Sequence, residues 1–144
     1  MPIKTFRGLM TSGSIDTIHL STNTGMTGYR ILKFELFPNR PGSQDAEDMM
    51  KVYKVPQTSA DNVADFSDQT LIAAAFFTSG ASIAYNDSYT VVFDQEKVNQ
   101  DLYITYVDTN SADKSANYYL ELEQMPLTLD EQTVATLKDI RNQA

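Results

Sequence analysis

The chain has 144 residues, no cysteine and no tryptophan, and a net charge of −8 at neutral pH, with an isoelectric point near 4.4. That length suits one domain over 1–144 that buries a core without staples, and the lack of cysteine excludes disulfides and thiolate metal sites. So acidic a surface repels a phosphate backbone, and nucleic acid is not an expected partner.

The start, "MPIKTFRGLM", has no apolar run of signal-peptide length. "LIAAAFF" (71–77) is too short to cross a bilayer. Synthesis and folding in a cytosol, without membrane association, is the expectation.

Along the chain, short apolar runs alternate with turn residues. "IKTFRGLM" (3–10) runs into the turn-prone "TSGS", and "SIDTIHL" (14–20) into "STNTGMTG". "YRILKFELF" (29–37) alternates: Leu32, Phe34 and Leu36 fall on one face and Lys33 and Glu35 on the other. That period of two predicts a half-buried strand. "PNRPG" stops it, because proline cannot donate to a ladder.

"MMKVYKV" (49–55) ends at Pro56, and the acidic stretch 57–69 reads as a long surface loop, with room for one helical turn. "TLIAAAFFTS" (70–79) is apolar throughout, as befits a strand covered on both faces. Its three alanines leave a short buried helix as the competing assignment. The heptapeptide within it is prone to aggregate if exposed, so it should be covered. "SYTVVFD" (88–94) and "DLYITYVD" (101–108) are rich in aromatic and β-branched residues. "NYYLELEQM" (117–125) alternates again, with Leu120 and Leu122 opposed to Tyr119, Glu121 and Glu123. About eight strands at this spacing predict an all-β antiparallel sandwich, a jelly roll being its natural eight-stranded form.

The end breaks the pattern. "LTLDEQTVATLKDIRNQA" (127–144) predicts an α-helix over about 129–142. Thr128 and Glu131 form a capping box. Asp130 and Glu131 suit the positive end of the helix dipole, Lys138 and Arg141 the negative end. Val134, Leu137 and Ile140 make a narrow stripe that needs a surface to lie on, either the edge of the chain's own sandwich or a neighbouring subunit.

Few residues point to chemistry. His19, the only histidine, sits between Ile18 and Leu20 in a strand, and no nucleophile elbow accompanies it. Glu121 and Glu123 share a strand face beside Tyr119, so a sugar-cleaving carboxylate pair is a reading to weigh. A solvated strand face has the same pattern. Asp61, Asp65 and Asp68 could meet around calcium, without matching an EF-hand spacing; capping of turns is the simpler reading. "TGMTG" (24–28) lacks the lysine and glycine spacing of a phosphate loop. Tyr103, Tyr106, Tyr118 and Tyr119 suit either an interface or an ordinary sheet. No catalytic residue, metal or cofactor is assigned.

The phrases "FRGLM", "IHLSTNTGMTGYRILKFELFPNRPG", "VADFSDQTLIAAA", "VVFDQEKVNQDLYITYVD" and "NYYLELEQ", with "LDEQTVATLKDIRN", span nearly the full length. They resemble small virion proteins from tailed bacteriophages of marine bacteria. The resemblance implies a non-enzymatic component of the particle. Capsid decoration (cement) is the leading expectation, with the major capsid protein as partner and a homo-oligomer, a trimer, as assembly. A tail or fibre-adaptor component is the alternative, and a carbohydrate-binding or glycoside-cleaving sandwich the second. Contact residues are expected at the chain ends: Ile3, Phe6 and Leu9 at the start, and Val134, Leu137 and Ile140 in the final helix.

Overall fold

A computed structural model describes residues 2–20, 26–39, 46–79, 87–93, 97–109 and 115–127. Eight strands lie in this part: β1 (Ile3–Thr11), β2 (Ile15–Ile18), β3 (Thr27–Pro38), β4 (Ala46–Tyr53), β5 (Leu71–Ser79), β6 (Asp87–Val92), β7 (Leu102–Asp108) and β8 (Ser115–Pro126). They form two antiparallel sheets, ordered β1-β8-β3 and β2-β7-β4-β5-β6. Each of the eight expected runs is a strand, "TLIAAAFFTS" included. The predicted helix over 129–142, its cap Thr128 and its stripe residues Val134, Leu137 and Ile140 lie outside the described residues.

One apolar core joins the sheets. From β8, Ala116, Tyr118, Leu120 and Leu122 point inward; β7 answers with Leu102, Ile104 and Tyr106, and β4 with Met50 and Val52. A fully buried leucine such as Leu120 contributes about 2 kcal/mol relative to leaving it in water.

Two bulges keep the side chains in phase with this core. In β3, Ile31 faces Leu122 and Lys33 faces Glu121, so Leu32 is an extra residue. Ahead of it Tyr29 and Ile31 point inward; after it Phe34 does, with Leu36 packed alongside. The expected alternation of Phe34 and Leu36 against Lys33 and Glu35 holds after the bulge; ahead of it the phase is opposite, because the bulge at Leu32 resets the period. In β5, Val52 pairs with Ala73 and Tyr53 with Leu71, leaving Ile72 extra. Ile72 and Ala73 both join the core.

Two glycines are required by geometry. Gly13 has φ of 87° in the turn between β1 and β2, where L side chains are strained. Its N–H donates to the Tyr106 carbonyl at 2.8 Å, which ties the turn to β7. Gly8 lies under the ring of Tyr118; a Cβ there would meet the ring at 2.9 Å.

A polar bond closes one end of the core. The hydroxyl of Tyr106 donates to Asp48 Oδ1 at 2.6 Å, with both side chains buried. Burial, then the bond to Asp48, raises the Tyr106 phenol far above its ordinary 10.0. In the unfolded chain the phenol ionises near that ordinary value. The stabilisation is therefore complete below pH 10.0 and is lost as pH rises further.

Tyr106→Phe should destabilise the protein by about 1–3 kcal/mol at neutral pH, because Asp48 loses a buried donor. Urea unfolding from neutral to alkaline pH should show the wild type converging on the variant above pH 10.0. A constant gap across that range would contradict the assignment. Leu120→Ala, which opens a cavity in the fully buried core, should lower stability by about 2–5 kcal/mol in the same measurement.

Candidate functional site

With the core closed, two outward sheet faces remain, and the chain treats them in opposite ways. Around Lys51 the outer face of the five-stranded sheet is covered by the chain itself, while Tyr89 and Val91 on its β6 side are exposed. Lys51 sits there between Thr105 of β7 and Ala74 of β5, and its side chain is only 3 % exposed. The segment 54–70 folds over it. Lys51 Nζ donates to Asp61 Oδ1 at 2.6 Å and to the Val63 carbonyl at 2.7 Å, and lies 5.6 Å from the Tyr53 ring centroid. Phe66 of the same segment meets Phe93 edge-to-face at 4.8 Å. Burial alone would lower the Lys51 pKa, but its bonds to Asp61 and Tyr53 outweigh that and raise it. The same bond holds the Asp61 carboxyl below its ordinary 3.8.

The three aspartates weighed for calcium are spent separately. Asp61 takes Lys51. Asp65 accepts from the N–H and hydroxyl of Ser67, and Asp68 from those of Thr70. These are Asx turns, which let a long polar loop satisfy its own backbone. Among the described residues no group of three or more metal-binding side chains comes together.

Among the described residues, none folds over the outer face of the three-stranded sheet. Cross-strand register sorts its side chains into rows running β1-β8-β3: Ile3–Glu123–Arg30, Thr5–Glu121–Lys33, Arg7–Tyr119–Glu35 and Leu9–Asn117–Phe37. Arg30 reaches Glu123 Oε2 through Nη2 at 2.8 Å and Nε at 3.2 Å. Lys33 lies 3.3 Å from Glu35, an exposed pair of small energetic weight. The Tyr119 hydroxyl donates to Glu121 at 3.2 Å; desolvation and that bond hold the phenol above its ordinary value.

On this face Arg7, Arg30 and Lys33 balance Glu35, Glu121 and Glu123. It is electroneutral on a chain of net −8. Its last row sets two large apolar side chains in solvent on either side of Asn117: Leu9 is 56 % and Phe37 63 % exposed.

The residues expected from the sequence fall as follows. Ile3 and Leu9 share this open face, but Phe6 does not: it points to the opposite side and packs on the core. An odd and an even residue of one strand cannot serve one surface, so Ile3, Phe6 and Leu9 are not a single contact set. Val134, Leu137 and Ile140 lie outside the described residues. Glu121, Glu123 and Tyr119 do meet, yet on a sheet face rowed with Lys33 and Arg30, where each carboxylate has a local partner. Of the four tyrosines, Tyr106 and Tyr118 are core residues, and Tyr103 and Tyr119 are half-buried on outward faces. His19 stands in solvent, 83 % exposed, 3.5 Å from Asp101. Phe37 was missed. Its signal was the phase break at Leu32, which turns Phe37 outward.

No protein-family model matches this chain, and no curated protein or solved structure is significantly similar to it.

The Lys51–Asp61 bond should govern how firmly the segment 54–70 is held. Asp61 has a depressed pKa, so its contribution is present above 3.8 and is lost as pH falls through its lower folded value. Amide exchange in 61–67, divided by the intrinsic rate at each pH, should rise at acid pH in the wild type. In Asp61→Asn it should be fast throughout. Unchanged exchange in that variant would show that Phe66 and the turns hold the segment unaided.

Proposed function

We propose that this is a non-enzymatic virion structural protein, a capsid decoration protein that sits on the outer capsid lattice and bridges neighbouring major capsid proteins. The observation that carries the reading is the open, electroneutral face with Leu9 and Phe37 at one end. An interface core is depleted in charged residues and enriched in large apolar and aromatic side chains; the Leu9–Asn117–Phe37 row has that character, and the six charged side chains of the other rows sum to zero on an otherwise acidic molecule. Two of its ion pairs, Arg30–Glu123 and Lys33–Glu35, are already made, which lowers the number of charges that docking would have to pair. The full-length resemblance to phage virion proteins supplies the partner class.

Adhesion also fits the carboxylates. Glu121 and Glu123 are engaged by Tyr119 and Arg30, which favours a binding surface over an acid–base pair. Repeated copies, assembled as a homo-oligomer, would turn a modest contact into tight attachment through multivalency. Protein bound only to the assembled shell would stabilise it by mass action. The place of work in this reading is the virion.

The strand order supports a jelly-roll reading. Rolling up a ribbon of antiparallel pairs 1-8, 2-7, 3-6 and 4-5 brings 8 beside 3 and 7 beside 4. The neighbours 1-8, 8-3, 2-7, 7-4 and 4-5 are all present here. One neighbour differs: β6 bonds to β5, while still packing near β3.

Purified particles with and without the protein should differ in the temperature at which they burst. Phe37→Asp, which places a charge on the exposed apolar row, should weaken particle binding at least about tenfold, given about 2 kcal/mol for burying the ring. Equal bursting temperatures and unchanged binding would overturn the reading. Gel densitometry separates capsid from tail: a decoration protein is present in dozens to hundreds of copies, and a tail or fibre adaptor in about 6 to 12.

A further inference from the structure

β1 is an edge strand, with β8 on one side and no strand on the other among the described residues. At nine residues it is long for an exposed edge. Native sheets usually blunt such edges with short strands, proline or inward charges, because the unpaired backbone groups are a template for another chain. No proline lies within β1, Pro2 preceding it, and its only charged side chains are Lys4 and Arg7.

Which groups the edge presents follows from one bond. The Gln124 N–H donates to the Pro2 carbonyl, so the even-numbered residues of β1 aim their backbone groups at β8. In an antiparallel ladder the direction alternates. Ile3, Thr5, Arg7 and Leu9 therefore turn their N–H and C=O groups to the free edge. Their side chains all lie on the open face, where Ile3 is 55 % and Leu9 56 % exposed.

We propose that this edge is a homodimer contact: two copies pair their β1 strands antiparallel about Phe6, joining two three-stranded sheets into one of six. The sequence of the edge selects that register. With Phe6 opposite Phe6, Ile3 of each copy faces Leu9 of the other and Thr5 faces Arg7. The exposed apolar residues are matched, and no like charges meet. Lys4 falls opposite Gly8, where nothing opposes it, and the two Phe6 rings meet on the core side. Shifting the two-fold axis by one residue toward the C-terminus sets Arg7 against Arg7, which is destabilising. Shifting it the other way sets Ile3 against Arg7 and leaves Leu9 without a partner.

Charge favours this place on the molecule. The three strands carry Lys4, Arg7, Arg30 and Lys33 against Glu35, Glu121 and Glu123. That is a net +1, so the rest of the chain carries −9. Two acidic copies repel least when they meet through this sheet. The contact is isologous and two-fold, unlike the trimer expected from the family resemblance, and it does not rest on the capsid reading.

Sedimentation of the whole protein should show a dimer that dissociates on dilution. Thr5→Pro removes a free-edge N–H while leaving the bonds to β8 intact, an arrangement edge strands tolerate. It should be monomeric, with the circular dichroism of the wild type. Because the chain has no cysteine, the register can be read directly. Thr5→Cys mixed with Arg7→Cys should crosslink under mild oxidation, since that pair would sit about 5.5 Å apart between Cα atoms. Either variant alone should crosslink far less. A monomer at concentrations on the order of 1 mM, a dimer unaffected by Thr5→Pro, or preferential Thr5–Thr5 or Arg7–Arg7 crosslinking would each overturn the proposal. So would a monomer whose β1 amides are protected by the chain's own residues 128–144.

Discussion

A β-strand shows its side chains alternately to two sides, and two sheets that share a core can keep dry only what points between them. That constraint governs this molecule. The inward residues of β8 and β7 face each other across the middle of the apolar layer, from Ala116 to Leu122 and from Leu102 to Tyr106. Every other strand must keep step with them. Where a strand's sequence drifts out of step, the backbone inserts a residue, at Leu32 in β3 and at Ile72 in β5. The bulges carry the core's demand outward, and they decide which residues reach solvent. Phe37 belongs to the open face because Leu32 resets the phase ahead of it.

Much of this was legible in the sequence. Short apolar runs bounded by turn residues marked all eight strands, and 29–37 and 117–125 also alternated, since composition, alternation and turn chemistry are local properties. Leu120 and Leu122 pointed inward as read, because β8 runs without a bulge through that stretch. The phase of Phe34 and Leu36 in β3 was legible, but the bulge that turns Tyr29 and Ile31 inward ahead of them was not, because a bulge depends on its partner strand. Pairing is non-local, and so is the neutral face: it assembles β1, β8 and β3 from opposite ends of the chain. The burial of Lys51 was hidden for the same reason. A lysine in "MMKVYKV" looks like a solvated position until a distant loop supplies Asp61 and the Val63 carbonyl. The aspartates of that loop were legible as turn-cappers, because an Asx turn spans two residues.

The two outward faces give the molecule a sidedness that composition does not suggest. Averaged over the chain, the charge is strongly negative; resolved by face, one broad surface is neutral. The covered sheet uses its own loop where a partner would otherwise be needed. The other sheet's outer face balances its charges in number, pairs Arg30 with Glu123 and Lys33 with Glu35, and exposes Ile3, Leu9 and Phe37. A protein that adheres needs one surface free of unmet charge and a remainder that repels, so that copies join in one manner and stay dispersed otherwise.

The position of β5 has a consequence for handling and survival. Its Leu71–Ala75 segment, the most apolar of the chain, is interior to its sheet and is shielded laterally by β4 and by six-residue β6. The outermost strand is the thinner guard, with Ser88 to Val91 all facing water. Fraying of β6 would bare a flat, uncharged backbone ribbon to its neighbours in solution. Long-term colloidal behaviour would then depend on how tightly that one border strand stays zipped, even while the interior remains intact.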